Sequence, residues 1–277
     1  MPSIEENLSK WGASYTWSRA GDEWSKPWGS SYMQWHGSIL PRIGAFLPAP
    51  SILEIAPGFG RWTDFLKESC DRLTVVDISE KCIEACRQRF ADEDHIAYHV
   101  NDGSSLAMVP DESIDFVFSY DSLVHAEDSV LESYIREFSR ILKPDGVAFI
   151  HHSNLGEYEA RIAMQSRLGL KDEQIARIPK LSGLLQRLRV YDNVTTQWRA
   201  RSMTHGKLAG FADAHGLQCI SQELVSWASR FALVDCMSTL TRKGSRWARP
   251  NKVLRNPAFM REAKHFSRLS QLYGSPN

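Results

Sequence analysis

Along the chain the spacing of apolar positions alternates between two periods. Short continuous apolar runs at 52–56 (ILEIA), 73–78 (LTVVDI), 96–100 (IAYHV), 114–120 (IDFVFSY) and 146–153 (GVAFIHHS) read as buried strands. Between them, 61–69, 79–90 and 129–142 place apolar residues three and four apart, which predicts helices; Ser79 is positioned as an N-cap. Strands alternating with helices predict an α/β fold, a mostly parallel sheet with helices on both faces. Two later runs, 217–227 and 232–242, read as an adjacent antiparallel pair, bringing the sheet to seven strands. The segments 1–45 and 155–203 fall outside the alternation, which divides the chain into an N-terminal Trp-rich lid (1–45), a core (46–154), a helical cap insertion (155–203) and a remainder with a C-terminal helix (204–277).

In an open sheet of this kind, ligands bind outside the carboxyl ends of the strands, where strand order reverses. The residues following each strand are Ala56-Pro57-Gly58-Phe59-Gly60, then Asp77, then Asn101 to Ser104, then Ser119, Tyr120, Asp121 and His125, then His151 and His152. Glycines at 58 and 60 permit close approach of a ligand to the backbone. An acidic residue ending the second strand can accept both hydroxyl hydrogens of a ribose, so Asp77 with Gly58 indicates a nucleoside-containing ligand. A dinucleotide fingerprint would need a third glycine where Thr63 stands, which makes a nicotinamide oxidoreductase the weaker reading.

Composition narrows the class. Lys plus Arg and Asp plus Glu are 33 each, so zero formal charge offers no general basic field for nucleic acid. No apolar run is long enough to span a membrane, and the start carries no signal-peptide pattern, so a cytoplasmic protein is expected. Five cysteines suit a reducing compartment. Cys82 and Cys86 share a helix face, but no second pair completes a metal site, and no metal is expected.

The ensemble resembles the class I S-adenosylmethionine-dependent methyltransferases, which have a Rossmann-like, doubly wound sheet. LEIAPGFG resembles their glycine loop, with Ala56 in place of the first glycine. VVDIS resembles their ribose-binding motif, NDGSSLAMVPDESIDFVFS their adenine-side loop, and REFSRILKPDGVAFI the turn before the fifth strand. The resemblance implies S-adenosylmethionine as cofactor. On it, Glu54 orients the amino-acid end, Ala56, Gly58 and Gly60 line the methionine moiety, and Asp77 followed by Ile78 holds the ribose. Asp102, Gly103 and Ser104 border the adenine, and Ser119 lies beneath the sulfonium.

The acceptor is read from the flanking segments. Residues 11–37 hold five of the nine tryptophans, in a stretch too polar for core, which suggests a lid on the cleft. Trp28, Tyr32 and Trp35 from it, and Trp198 and Arg199 from the insertion, are expected to touch the acceptor. The segment also resembles that of methyltransferases acting on saccharides, so the expected reaction is O-methylation of a sugar or glycan hydroxyl. The alternatives are O- or N-methylation of another small molecule, or a catalytically silent binding subunit. A hydroxyl needs a base: His152, nearest the strand end, is placed first, His125 second and His151 third, with Asp121 as orienting carboxylate. The oligomeric state is left open by the sequence.

Overall fold

The computed structural model describes residues 3–168, 184, 198–227 and 232–273. Strand β1 (Ser51–Ile55) is buried at every position, as a central strand covered on both faces must be. Then come β2 (Arg72–Asp77), helix α1 (Glu80–Arg89), β3 (Ile96–Val100), β4 (Ile114–Ser119), α2 (Asp128–Ile141) and β5 (Leu142–Ser153). The Ser79 hydroxyl accepts from the Cys82 N–H and caps α1, so the turn after β2 is fixed from both sides. After α3 (Glu159–Arg167) and α4 (His205–Ala214) the chain forms β6 (Leu217–Val225), β7 (Asp235–Arg242), β8 (Lys252–Asn256) and α5 (Phe259–Tyr273).

The strand order is β3-β2-β1-β4-β5-β7-β6-β8. Strands β1 to β5 pair in parallel, β7 runs antiparallel to both β5 and β6, and β8 is parallel to β6. Order reverses between β1 and β4, which puts a crevice at their carboxyl ends. The sheet has one strand more than the seven expected. Four of the five β8 residues are exposed, so β8 carries none of the burial pattern from which strands are recognised. Of the expected helical cap, α3 and residues 198–203 are described and most of the rest lies outside the described residues.

Side chains alternate between two cores, as the two-residue strand period requires. Phe116, Phe118, Val147 and Phe149 face a core closed by Trp28, Trp35, Ile39 and Ile43 and by Phe259 of α5. Val117, Ala148 and Ile150 face the opposite core, closed by Leu131, Ile135 and Phe138 of α2 and Leu208 of α4. This alternation sends His151 and His152 to different sides.

Candidate active site

A cavity of about 440 Å³ lies over the carboxyl ends of β1, β2 and β4, a volume suited to a small-molecule ligand. Its floor is the loop after β1, with Ala56, Pro57, Gly58 and Arg61; its sides are Asp77, Ile78, Gly103, Tyr120, Asp121 and His125. Helical turns at Ile4–Asn7 and Leu8–Ser14 and the following loop cross the opening, adding Lys10, Trp11, Tyr15, Trp17 and Trp24. Two anchors hold this segment down. The Asn7 amide donates to the His125 carbonyl at 3.1 Å, and Trp17 stacks on Phe59 with centroids 5.0 Å apart.

The loop geometry explains its residues. Ala56, where the resembled motif has glycine, takes a left-handed φ of 58°. Gly58 has φ 59°, and a Cβ there would lie 2.5 Å from the Trp17 ring. Gly60 serves a different neighbour: its missing Cβ makes room for Phe90 of α1, at 2.6 Å, so this glycine packs helix on loop and is not part of the cavity wall. Asp77 ends β2 with its carboxylate accepting from the Ser79 N–H at 2.8 Å and the Gly58 N–H at 3.4 Å. Burial raises its pKa to about 6 despite these bonds.

Three other expected cofactor contacts are engaged elsewhere. Glu54 is sealed under the loop, accepting from the Thr63 hydroxyl, and burial pushes its pKa up to about 8. Ser119 donates to the Ile55 carbonyl at 3.0 Å and ties β4 to β1. The exposed Asp102 folds back on the Ser104 and Ser105 N–H groups at 2.8 and 2.7 Å, forming its own turn. Gly103 reaches the cavity; Ser104 is not among its lining residues.

The histidines separate as the strand period demands. His152 lies off the cavity, fully buried, with Nδ1 bonded to the Ser153 carbonyl and Nε2 to the Ser238 hydroxyl, both at 2.8 Å. Its proximity to the strand end was a misleading signal, because the side chain points into the core behind β7. His151 stands one layer behind the wall. The Asp121 N–H donates to its Nδ1 at 3.2 Å, and its Nε2 faces Asp235 at 3.4 Å. His125 is in the wall, stacked on Trp11 at 5.2 Å. Its Nδ1 lies 2.6 Å from the Trp198 carbonyl. A carbonyl only accepts, so Nδ1 carries the proton and Nε2 keeps its lone pair. Burial, aided by Arg199, lowers the His125 pKa to about 4.

Of the expected acceptor contacts, Trp198 and Arg199 line the cavity. Trp28 and Trp35 are core residues, against Trp227 and Phe259 and against Phe65 and Phe118 respectively. Tyr32 is 62% exposed on the outer surface. The tryptophans at the cavity are instead Trp11, Trp17 and Trp24, with Trp62 and Trp227. A signal separating the two sets was present: Trp28, Trp35, Ile39 and Ile43 follow helical spacing and continue an apolar face, whereas Trp11, Trp17 and Trp24 stand among polar residues. Two ion pairs complete the wall. Arg61 meets Asp121 at 3.1 Å, and Arg199 grips Asp235 through Nε and Nη2 at 3.0 and 2.9 Å. Burial alone would raise the Asp235 pKa, but Arg199 and His151 outweigh it and hold it low.

Residues 53–150 match the family described as Methyltransferase domain. They are a methyltransferase domain. Its cofactor is S-adenosylmethionine, and the Asp77 carboxylate beside the Gly58 turn fits a ribose diol. The methyltransferase stretch is similar to nodulation protein S of Bradyrhizobium diazoefficiens, 32% identical over 35% of this chain and 46% of that protein. It is also similar to phosphoethanolamine N-methyltransferase 1 of Triticum aestivum, 29% identical over 41% of this chain and 24% of that protein. The chain spans less than half the length of either relative. A solved structure from Pyrococcus horikoshii shares the fold at 19% identity and TM-score 0.52, over 76% of this chain and 91% of that one. Among the described residues, no helix is long and apolar enough to cross a membrane.

Proposed function

We propose that this chain transfers the methyl group of S-adenosylmethionine to a hydroxyl of a small polyhydroxylated acceptor, a sugar or glycoside. The observation that carries the reading is the wall of Trp11, Tyr15, Trp17 and Trp24 facing the strand ends across one cavity with Asp77. Indole faces suit the apolar faces of sugar rings, and their polar edges stay free for hydrogen bonds.

The cofactor supplies an electrophilic methyl group; the chain's own residues bind, align and handle the proton. Asp77 and the Gly58 loop hold the donor, and the N-terminal segment acts as a lid that excludes water and aligns the acceptor oxygen. His125 is the base. The Trp198 carbonyl fixes its tautomer, its low pKa keeps it neutral at physiological pH, and Nε2 is the nitrogen with a lone pair to give. Asp121, held by Arg61, and Arg199, held by Asp235, shape the wall. Trp198 closes the side.

A second reading, an amine acceptor, has its own support. Lys10 Nζ lies 4.2 Å from the Trp198 ring centroid, so this part of the wall already accommodates a cation. One of the relatives is named for methylating the nitrogen of phosphoethanolamine. Incubation with methyl-labelled donor and a panel of methyl glycosides and primary amines decides between them. Label in an ether of a glycoside supports the proposal; label confined to amines overturns it in favour of the second reading.

A further inference from the structure

Just beyond the end of β4 the backbone is strained. Asp121 takes a left-handed φ of 65°, a conformation that a residue with a Cβ adopts less readily than glycine. Glycine would make the same turn with less strain but would bring no carboxylate. That carboxylate lies in the cavity wall, where its Oδ2 accepts from Arg61 Nη2 at 3.1 Å. Among the described residues nothing donates to its other oxygen, Oδ1. The charge of Asp121 is near enough to act on both His125 and Arg199, which puts it on the side of the proposed base.

A buried chain of polar groups stands behind the turn. The Asp121 N–H donates to His151 Nδ1 at 3.2 Å, so the His151 ring hydrogen is on Nε2. Nε2 faces Asp235 Oδ2 at 3.4 Å, and the same oxygen accepts from Arg199 Nη2 at 2.9 Å. The His151 ring packs on Tyr120 at 4.8 Å and on Trp227 at 5.5 Å. Both His151 and Asp235 are fully buried. A buried ion pair gains little stability, because desolvation offsets the attraction. Here the pair fixes the far side of the ring whose near side holds Asp121.

We infer that Asp121 accepts a hydrogen bond from a second hydroxyl of the acceptor, distinct from the one methylated, and that His151, fixed by Asp235 and Arg199, is the positioning residue that holds Asp121 for it. The inference rests on the function proposed above and deepens it by naming what the acceptor must carry. A carboxylate oxygen only accepts, so its partner must donate a hydrogen, which rules out a carboxylate or phosphate on the acceptor at this point. Arg61 already balances the charge of Asp121, so a neutral hydroxyl suits it better than an ammonium. One acceptor hydroxyl then meets His125 Nε2 and another meets Asp121 Oδ1. An acceptor with a single hydroxyl satisfies only one of them. His151, with both ring nitrogens turned to protein groups, is left out of the proton transfer.

The test uses the full-length chain and the glycoside from the methyl-transfer panel that turns over best. Asp121→Gly removes the carboxylate and accepts the left-handed φ without strain. It should raise the KM for the glycoside at least about tenfold, as losing a hydrogen bond to a charged group does, with S-adenosylhomocysteine affinity unchanged. Two variants divide the bonds of His151. Asn is short enough to leave its amide oxygen near the place of Nδ1 and keeps an acceptor for the Asp121 N–H. Gln carries its amide on towards the place of Nε2 and keeps only the donor to Asp235. His151→Gln should raise KM as Asp121→Gly does, and His151→Asn should stay near wild type. In the Asp121→Gly background His151→Gln should add little, since the carboxylate it positions is gone; a merely structural role would add its full effect in both. Deoxy analogues lacking one hydroxyl at a time give a further signature. One of them should show the raised KM on wild type and no further rise on Asp121→Gly. Unchanged KM in Asp121→Gly, with wild type active on glycosides, overturns the inference and leaves the function standing. Weaker S-adenosylhomocysteine binding with KM unchanged overturns it too, and assigns Asp121 to the donor. Equal KM in the Asn and Gln variants overturns the positioning role of His151. If His151→Gln does not fold, Asp121→Gly and the deoxy series still decide the contact. No glycoside methylated by wild type overturns both the inference and the function.

Discussion

At the scale of single residues, burial decides which titratable groups can act. His125 keeps a free Nε2 on the cavity, whereas His152 has both ring nitrogens engaged in the core. His125→Ala should therefore lower kcat by about 10²–10⁴-fold with donor affinity nearly unchanged. His152→Ala should instead reduce stability and leave kcat of the folded fraction close to wild type. Separate turnover and donor-binding measurements on both variants check this. Glu54 offers a stability test independent of activity. Its pKa is about 8 in the folded chain against 4.5 unfolded. Between those values the folded state binds more protons, so this group's contribution to stability declines as pH rises from about 4.5 to 8. Glu54→Gln keeps an acceptor for Thr63 and removes the titration, so its gain in melting temperature should grow with pH over that window. Equal shifts at pH 5 and pH 8 would show Glu54 ionised within the fold. The spacing of Asp77 after Gly58 was legible in the sequence because it follows from the length of a strand–helix–strand unit. The choice between His151 and His152 was not, since strand alternation gives opposite faces without saying which face holds the cavity.

At the scale of elements, the N-terminal segment divides into two placements that one composition conceals. Residues up to Trp24 cross the cavity; Ser25 to Phe46 pack on the sheet through Trp28, Trp35, Ile39 and Ile43. A cut ending inside the second part would strip the core. Removing residues 1–20 should preserve the cooperative melt and abolish turnover, because the lid goes while the staple stays. A truncated chain with full turnover would show that Trp11 and Trp17 are not needed to align the acceptor. Circular dichroism together with methyl transfer reads both quantities. Tryptophan density marked the segment in the sequence. Only the apolar helical spacing from Trp28 to Ile43 separates staple from lid. The exposed β8 was invisible for the opposite reason, since an edge strand wet on both faces has no apolar period to detect.

For the whole molecule, the parallel sheet, its reversal between β1 and β4, and the loops at their carboxyl ends form one device. The device places the Asp77 carboxylate, the Gly58 turn and the His125 imidazole around a single cavity. This arrangement was legible in order and type, because buried parallel strands read as continuous apolar runs. The far wall was not, because it is built from segments distant in sequence: Trp11 and Trp17 from the start, Trp198 and Arg199 from the insertion, and Trp227 beyond β6. The claim on which everything else depends is that Asp77 and the Gly58 loop hold the methyl donor. Calorimetric titration of S-adenosylhomocysteine into wild type and Asp77→Ala tests it most directly. The account predicts binding to wild type and a loss of about 1.5–3 kcal/mol in the variant, as expected for hydrogen bonds to a charged acceptor. Equal affinity in the two proteins, both folded, would contradict it.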